Sequence, residues 1–159
     1  MKSKADIIKI GAAVIRNKKL LITKPYNKNM FIILGGKPEK KESDIQCLRR
    51  EIMEEVKVQI KGTPKLYLTS PIEPAAGRPE LTVQIKIYLV ELHGEPKPTP
   101  DDIKKIHWIS QKEFVSGKFQ LGTILQDYLL PKLIKDGLLK LKFFNFGINL
   151  FYIFFKIVF

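Results

Sequence analysis

GGKPEKKESDIQCLRREIMEEVKV, residues 35–58, contains two consecutive glycines, a Lys-rich turn and three glutamates within five positions. Ser43 is followed three residues later by Gln46, which is typical of a capping box at the start of a helix. Asp44 would lie in the first turn, where the helix dipole favours a negative charge. The stretch therefore predicts a helix that begins at Ser43.

The predicted helix has two adjacent faces that differ in chemistry. At about 100° per residue, an apolar stripe that can pack on a sheet is formed by Ile45, Leu48, Ile52 and Val56. Glu51, Glu54 and Glu55 fall on a neighbouring arc. Like charges at these spacings cost a few tenths of a kcal/mol each, and the helix C-terminus favours cations. A multivalent cation would relieve both costs, whereas the alternative interpretation is an ordinary solvated face.

The spacing in this stretch resembles the Nudix box: glycine, five residues, glutamate, seven residues, then Arg-Glu-U-x-Glu-Glu-x-Gly-U, where U is aliphatic. The matching positions are Gly36, Glu42, Arg50, Glu51, Ile52, Glu54, Glu55 and Val58. Lys57 replaces the last glycine of the box, which normally lets the helix end in a left-handed conformation. A lysine in that conformation costs about 1 kcal/mol, so the helix ending is in question while the carboxylates are not. The resemblance extends from residue 7 to roughly residue 139.

Apolar segments separated by turn residues predict strands on both sides of one early helix and a helical segment after the last strand, which indicates an α/β domain with a mixed sheet. The predicted strands are residues 7–16, 20–26, 30–34, 56–62, 65–72, 81–92 and 103–110. Prolines and glycines predict loops at 73–80 and 93–102, and a helical pattern at 111–137 is interrupted by Gly117, Gly122 and Pro131. The resemblance implies the same class, a Nudix fold in which a mixed β-sheet is sandwiched between α-helices.

The resemblance implies hydrolysis of a nucleoside diphosphate that is linked to a further group. Carboxylate oxygens suit Mg²⁺, with Mn²⁺ as a second candidate. From the box we expect Glu51, Glu54 and Glu55 to be metal ligands, with the carbonyl of Gly35 as a further ligand. The expected catalytic residues are Glu51 and Glu54, together with an orienting pair formed by Arg50 and Glu42.

The remaining site predictions concern the substrate and the general base. We assign Gly36, Lys37 and Arg78 to substrate binding, because glycine admits close backbone approach and the cations suit phosphate. Glu80, Asp101 and Asp102 are candidates for an additional acid that activates water, although each is also explained as a solvated loop residue.

Three functions are compatible with this site. A MutT-like enzyme that converts a (deoxy)nucleoside triphosphate to a monophosphate and pyrophosphate fits the short elements best. A pyrophosphatase acting on ADP-ribose or another nucleotide sugar is an alternative, since members with that activity carry a proline at the position of Pro74. A non-catalytic nucleotide-binding domain is a further alternative, which the intact carboxylates disfavour.

The composition favours an anionic small-molecule partner. The net charge is +12, but only four of the 28 basic residues are arginines, so a DNA-binding module that reads bases is not expected. One cysteine, Cys47, excludes an internal disulfide framework and suits the cytoplasm. Ile7 to Ile15, the apolar run near the N-terminus, is interrupted by Lys9, and we predict no secretion signal there. A homodimer stays open.

The end of the chain differs from the rest, and we place a domain boundary between residues 141 and 142. Residues 142–159 are Phe-rich, with seven of the ten phenylalanines. Thirteen residues between Lys142 and Lys156 are too few for a membrane span, which needs about 20. We interpret this segment as an accidental or accessory tail, and alternatively as a peripheral membrane contact.

Overall fold

A mixed β-sheet with helices on both faces organises the protein, and the computed structural model describes residues 4–75 and 78–139. The strands are β1 (Ile7–Arg16), β2 (Lys19–Pro25), β3 (Leu34–Gly36), β4 (Gln59–Thr69), β5 (Glu73–Ala75), β6 (Arg78–His93) and β7 (Ile103–Ser110). The helices are α1 (Asp44–Val56), α2 (Gln111–Val115) and α3 (Leu130–Lys135), and a wider π-helical turn, Ile124–Leu129, leads directly into α3.

The sheet follows the order β4-β6-β1-β2-β7, with β3 beside β1 and β5 beside β6. β1 pairs in parallel with β6 along most of its length and antiparallel with β3 and the start of β2. Asn17 and Lys18 both have positive φ, 50° and 60°, as a tight hairpin turn of matching twist requires. The predicted hairpin between the first two strands is therefore confirmed.

Two apolar clusters hold the helices against opposite faces of the sheet. On one face, α1 packs against β1 and β3: Leu48, Ile52 and Val56 of the predicted stripe are fully buried together with Cys47, and Ile45 is partly buried. On the other face, the π-helical turn and α3 bury Leu129, Leu130 and Leu133. Each such side chain contributes about 1.5–3 kcal/mol by leaving water. The predicted fold class, a mixed sheet between helices, is confirmed.

The structure corrects the predicted strand boundaries in three places. Residues 30–34 form two isolated bridges, and the paired strand is Leu34–Gly36, since these residues lie beside β1. The two strands predicted at 56–62 and 65–72 are mainly one bulged strand, β4, whose register shifts where Gly62 takes a φ of 68°. Much of the predicted loop at 73–80 belongs to β5 and β6, because a short hairpin extends the sheet there.

The helical segment near the end is shorter than predicted, and its form is explained by Pro131. A proline lacks an N–H and its ring clashes with the carbonyl four residues earlier in a regular α-helix. The chain widens just before it: the N–H of Leu130 donates to the carbonyl of Leu125, five residues back. The π-helical turn thus admits the proline inside a continuous helical segment.

Both ends of α1 are defined by their backbone. Ser43 is the N-cap, and its capping box with Gln46 is complete, which confirms the predicted start. At the other end, Lys57 adopts the left-handed conformation, φ 56° and ψ 33°, that the family's glycine would take. The helix therefore ends as the box requires despite the substitution.

The predicted tail, residues 142–159, and the boundary before it lie outside the described residues. In the part of the chain that is described, no helix is both long and apolar enough to cross a bilayer.

Candidate active site

Two adjacent glycines bring the β3 backbone against both β1 and α1. Gly35 has a φ of 124°, and a Cβ there would lie 2.1 Å from the carbonyl oxygen of Ile10. A Cβ on Gly36 would lie 2.1 Å from Oε1 of Glu51. Real Cβ atoms do not approach other atoms so closely, so only glycine allows the Glu51 carboxylate to rest on the end of β3.

The guanidinium of Arg50 is at the centre of the hydrogen bonds made by the acidic face of α1, which carries Glu51, Glu54 and Glu55. Its Nε and Nη2 donate to the two carboxylate oxygens of Glu42, each at 2.9 Å, in a bidentate pair. Its Nη1 donates to Glu51 Oε1 at 2.8 Å and to Glu54 Oε2 at 3.0 Å. Nη2 also donates to the carbonyl of Lys37, 3.1 Å away. One guanidinium therefore links the loop before the helix to two of the three glutamates on the acidic face of α1 and offsets their repulsion.

Glu55 is the most enclosed carboxylate of the three. Its Oε2 accepts the N–H of Gly35 at 2.9 Å. Burial raises the pKa of Glu55 to about 8, against the smaller lowering effect of the Gly35 hydrogen bond. Burial also raises the pKa of Glu51, and the Arg50 hydrogen bond opposes that rise. The two partly buried acids thus have a higher proton affinity than ordinary glutamates.

A cavity of about 360 Å³ lies beside these glutamates. Five carboxylates line it: Glu51, Glu54, Glu55, Asp101 and Asp102. Two lysines, Lys9 and Lys28, also line it, so acids outnumber cations. This cavity is a concave, acidic surface of the kind that binds a multivalent cation.

The loop before β7 reaches the cavity because it caps the end of α1. The N–H of Lys97 donates to the carbonyl of Val56 at 3.0 Å. The N–H and the hydroxyl of Thr99 donate to the carbonyl of Glu55 at 3.2 and 3.1 Å. These bonds satisfy carbonyls that a helix end leaves unpaired, and they place Asp101 and Asp102 next to the glutamates.

The donor set fits a hard divalent cation such as Mg²⁺, which prefers carboxylate oxygens and keeps several waters. Among the described residues, no three His, Cys, Asp or Glu side chains are already gathered as a ligand cluster. The reason is visible in the bonds: Arg50 holds Glu51 and Glu54, while Glu55 is turned to the Gly35 N–H. The acids share one cavity wall, and binding of a common ion would require their side chains to turn away from these hydrogen-bond partners.

A second cavity, of about 420 Å³, adjoins the first and is mainly apolar. Its walls come from β1, β3 and the residues just before it, β5, β6 and the start of the π-helical turn, including Ile33, Val83, Ile85 and Ile124. Two of the predicted substrate-binding residues, Lys37 and Arg78, line it. A pocket of this size and character suits the flat, apolar faces of a nucleoside.

Lys9 is a site residue that the sequence did not reveal. It lines both cavities and has a pKa lowered first by burial and then by the nearby charges of Lys28 and Lys37. In the sequence it was only an interruption of an apolar run. That interruption is the available signal, because a lone cation in a strand of the core needs an anionic partner.

Three further residues with titratable side chains are placed as follows. Glu80 lines neither cavity, so the structure does not bring it to the acidic face. Cys47 is fully buried, and burial raises the pKa of its thiol to about 12, as expected of a packing residue. His107 lies away from both cavities, where it contacts Glu113 at 3.0 Å and stacks on Phe119.

Comparisons with known proteins identify relatives of the whole domain. The family model for the NUDIX domain matches residues 8–133. The crystal structure of a MutT NUDIX hydrolase from Burkholderia pseudomallei is 25% identical, with a TM-score of 0.56 over 65% of this chain and 81% of that one. The solution structure of the E. coli ORF135 protein is 23% identical, with a TM-score of 0.64 over 81% and 89%.

A structure described as a UDP-X diphosphatase is 13% identical, with a TM-score of 0.68 over 86% of this chain and 66% of that one. Similarity at this level extends to the fold alone. Comparison with curated proteins gives no match.

Proposed function

This chain belongs to the NUDIX family and is a Nudix hydrolase, and from that premise we propose that it hydrolyses nucleoside triphosphates in a MutT-like manner. The bond cleaved is the anhydride between the α- and β-phosphates, and the products are a nucleoside monophosphate and pyrophosphate. One observation carries the proposal: the apolar cavity and the acidic cavity meet at Gly35 and share Lys9, Asn27, Lys28 and Ile32.

The two cavities that share this wall bind different parts of the substrate. The apolar cavity takes the nucleoside, and the phosphates extend across Gly35 toward the acids. The pKa of Lys9 is lowered by burial and then by the charges of Lys28 and Lys37, so a polyanion beside these lysines would relieve the repulsion that Lys9 experiences. Lysine suits this role because it acts as a compact point charge on phosphate oxygens.

Glu51, Glu54 and Glu55 are the residues that would hold the divalent cation, for which we propose Mg²⁺. When bound, the cation supplies neutralisation of phosphate charge and acidification of a coordinated water. Arg50 and Glu42 orient this face: their bidentate pair fixes the guanidinium, which in turn holds Glu51.

The proton of the attacking water needs an acceptor on the same cavity wall. Glu54 is the most accessible of the box glutamates, with 52% of its side chain exposed, against 15% for Glu51. Asp101 and Asp102 face the same cavity. We propose that the acceptor is one of these three, and that Glu80 is not, because it lines neither cavity.

A panel of ribo- and deoxyribonucleoside triphosphates, ADP-ribose, UDP-sugars and dinucleoside polyphosphates, assayed with Mg²⁺ for monophosphate release, tests this proposal. We expect the highest kcat/KM on triphosphates and loss of at least about a hundredfold in Glu54→Gln and Glu55→Gln. Glu80→Gln is the matched control and should keep wild-type turnover. Full activity in both box variants would overturn the assignment of the site.

A pyrophosphatase acting on a nucleotide sugar is the second candidate. Pro74 lines the apolar cavity, which keeps this candidate open. The panel separates the two functions: preferential cleavage of ADP-ribose or a UDP-sugar, with slow triphosphate turnover, would replace the MutT-like proposal.

A further inference from the structure

Glu73 places one acid inside the apolar cavity. It is the first residue of β5, where it pairs with Val83 of β6, and both residues line the cavity. Among the described residues that line this cavity, Glu73 is the only acid, while the cations are Lys9, Lys28, Lys37 and Arg78. Placing an acid in an apolar nucleoside pocket costs free energy, because a carboxylate loses hydration there.

Tyr128, in the π-helical turn, holds this carboxylate in place. Its hydroxyl donates to Oε1 of Glu73, which joins the π-helical turn to β5. The same turn supplies Ile124 and Leu125 to the cavity lining. With one oxygen committed to Tyr128, the other oxygen of Glu73 is an oriented acceptor, and an ionised carboxylate accepts hydrogen bonds without donating any.

The positions of the charged residues also determine which part of a bound nucleotide lies next to Glu73. Phosphates are repelled by a carboxylate and are attracted to the lysines around Gly35. The base and ribose therefore fill the part of the cavity that Glu73 lines. A base that donates a hydrogen bond satisfies the carboxylate, whereas a base that presents carbonyl oxygens leaves it unpaired, which is costly in a desolvated pocket.

We propose that Glu73 selects nucleotides whose base carries an exocyclic amino group, and that Tyr128 is the positioning residue for this selection. Cytosine, guanine and adenine present such a group. Uracil offers one ring N–H, but the carbonyl oxygens on either side of it are repelled by a carboxylate. Hypoxanthine lacks the amino group of guanine. This inference rests on the proposed function, because it assigns the apolar cavity to the nucleoside.

Two matched ligand pairs test the selection. CMP and UMP differ in the amino group of the pyrimidine, and GMP and IMP differ in the amino group of the purine. Binding is measured by isothermal titration calorimetry on the full chain with Mg²⁺, and kcat/KM is measured with the corresponding triphosphates. For the wild type we expect the amino-bearing member of at least one pair to be favoured by about tenfold or more, as for a hydrogen bond to a charged group.

Three variants complete the design. Glu73→Gln keeps the size of the side chain but adds an N–H donor that suits a carbonyl, so the preference should disappear or invert. Tyr128→Phe should reduce the preference without abolishing binding, since the carboxylate stays but is no longer fixed. Glu80→Gln, an exposed acid of β6 outside both cavities, should retain the wild-type ratio.

The outcomes distinguish failure of this inference from failure of the proposed function. Triphosphate turnover with equal ratios in wild type and Glu73→Gln would overturn the selection by Glu73 and leave the MutT-like activity standing. Absence of triphosphate turnover would remove the proposed function, and the binding ratios of the monophosphates would still decide the role of Glu73. An unchanged ratio in Tyr128→Phe, with a lowered melting temperature, would reduce that residue to a structural contact.

Discussion

Glu55 provides a prediction that concerns stability in the absence of metal. Its carboxyl accepts the Gly35 N–H within the protein and has a pKa of about 8, compared with 4.5 as the ordinary value. The folded state therefore holds the proton of Glu55 more tightly than the unfolded state. Because the folded state binds more protons between these two values, stability must fall as pH rises through this interval.

The size of the effect follows from the two pKa values. One pKa unit corresponds to about 1.4 kcal/mol, so ionising Glu55 costs on the order of 3 kcal/mol near pH 7 and on the order of 5 kcal/mol well above pH 8. Glu55→Gln removes this cost, and the amide oxygen can still accept the Gly35 N–H. We expect the variant to be about as stable as the wild type near pH 4.5 and increasingly more stable above it.

Urea unfolding in EDTA at a series of pH values measures this difference directly. The quantity to plot is the free energy of unfolding of Glu55→Gln minus that of the wild type, which cancels the other titrating groups. Glu54→Gln is the matched control: its carboxylate is half exposed and pairs with Arg50, so the variant should change stability by less than about 1 kcal/mol at every pH. A difference for Glu55→Gln that is flat with pH would refute the assigned burial of this acid.

Three further substitutions give distinct expected outcomes. Lys57→Gly should stabilise the protein by about 0.5 kcal/mol, because relief of the left-handed lysine (about 1–2 kcal/mol) exceeds the added chain entropy of glycine (about 0.4–1 kcal/mol); urea unfolding measures it. Gly36→Ala should keep the melting temperature but lower activity by about 10–100-fold, since its methyl group displaces the Glu51 carboxylate. Glu113→Ala should lose about 1 kcal/mol of stability at neutral pH through its capping box, measured by thermal unfolding.

For each of these substitutions, a specific result would contradict the expected outcome. A destabilised Lys57→Gly would show that the lysine side chain contributes more than its backbone costs. For Gly36→Ala the comparison is Gly35→Ala, whose Cβ would meet the backbone of Ile10 and should unfold the protein; equal losses of stability would remove the distinction.

For Glu113, burial alone would raise the pKa, but the hydrogen bonds from Ser110 and the contact with His107 outweigh it and lower the pKa to about 2. The stabilisation is therefore fully present above the ordinary value of 4.5 and is lost as pH falls through about 2. The gap between wild type and Glu113→Ala must narrow over this range, and a gap independent of pH would contradict the assignment.

The sequence predicted α1 and the fold class because local signals and spacing agreed there. The capping box of Ser43 and the apolar stripe ending at Val56 depend on neighbours along one helix, so pattern suffices. The boundary of β3 was wrong because residues 30–34 are as apolar as a strand, yet only Leu34–Gly36 lie beside β1. Local composition does not show which distant segments of the chain will pair as strands.

The apolar cavity could not be predicted from the sequence for a related reason. Lys9, Glu73 and Arg78 come from three different strands, and only the pairing of β1, β5 and β6 brings them to one cavity. Arg50 was expected to pair with an acid of the preceding loop. Its simultaneous bonds to Glu51 and Glu54 depend on side-chain geometry that spacing does not specify.

Lys57 shows why one departure from the box leaves the acidic face intact. Its left-handed backbone costs about 1 kcal/mol. Val56 and Val58, on either side of it, are 0% and 8% exposed, and burial of each contributes about 1.5–3 kcal/mol. The N–H of Lys97 adds a bond to the Val56 carbonyl. Because these terms together exceed the cost, the neighbours keep the helix end at Lys57, and Glu54 and Glu55 keep their places in the last turn of α1.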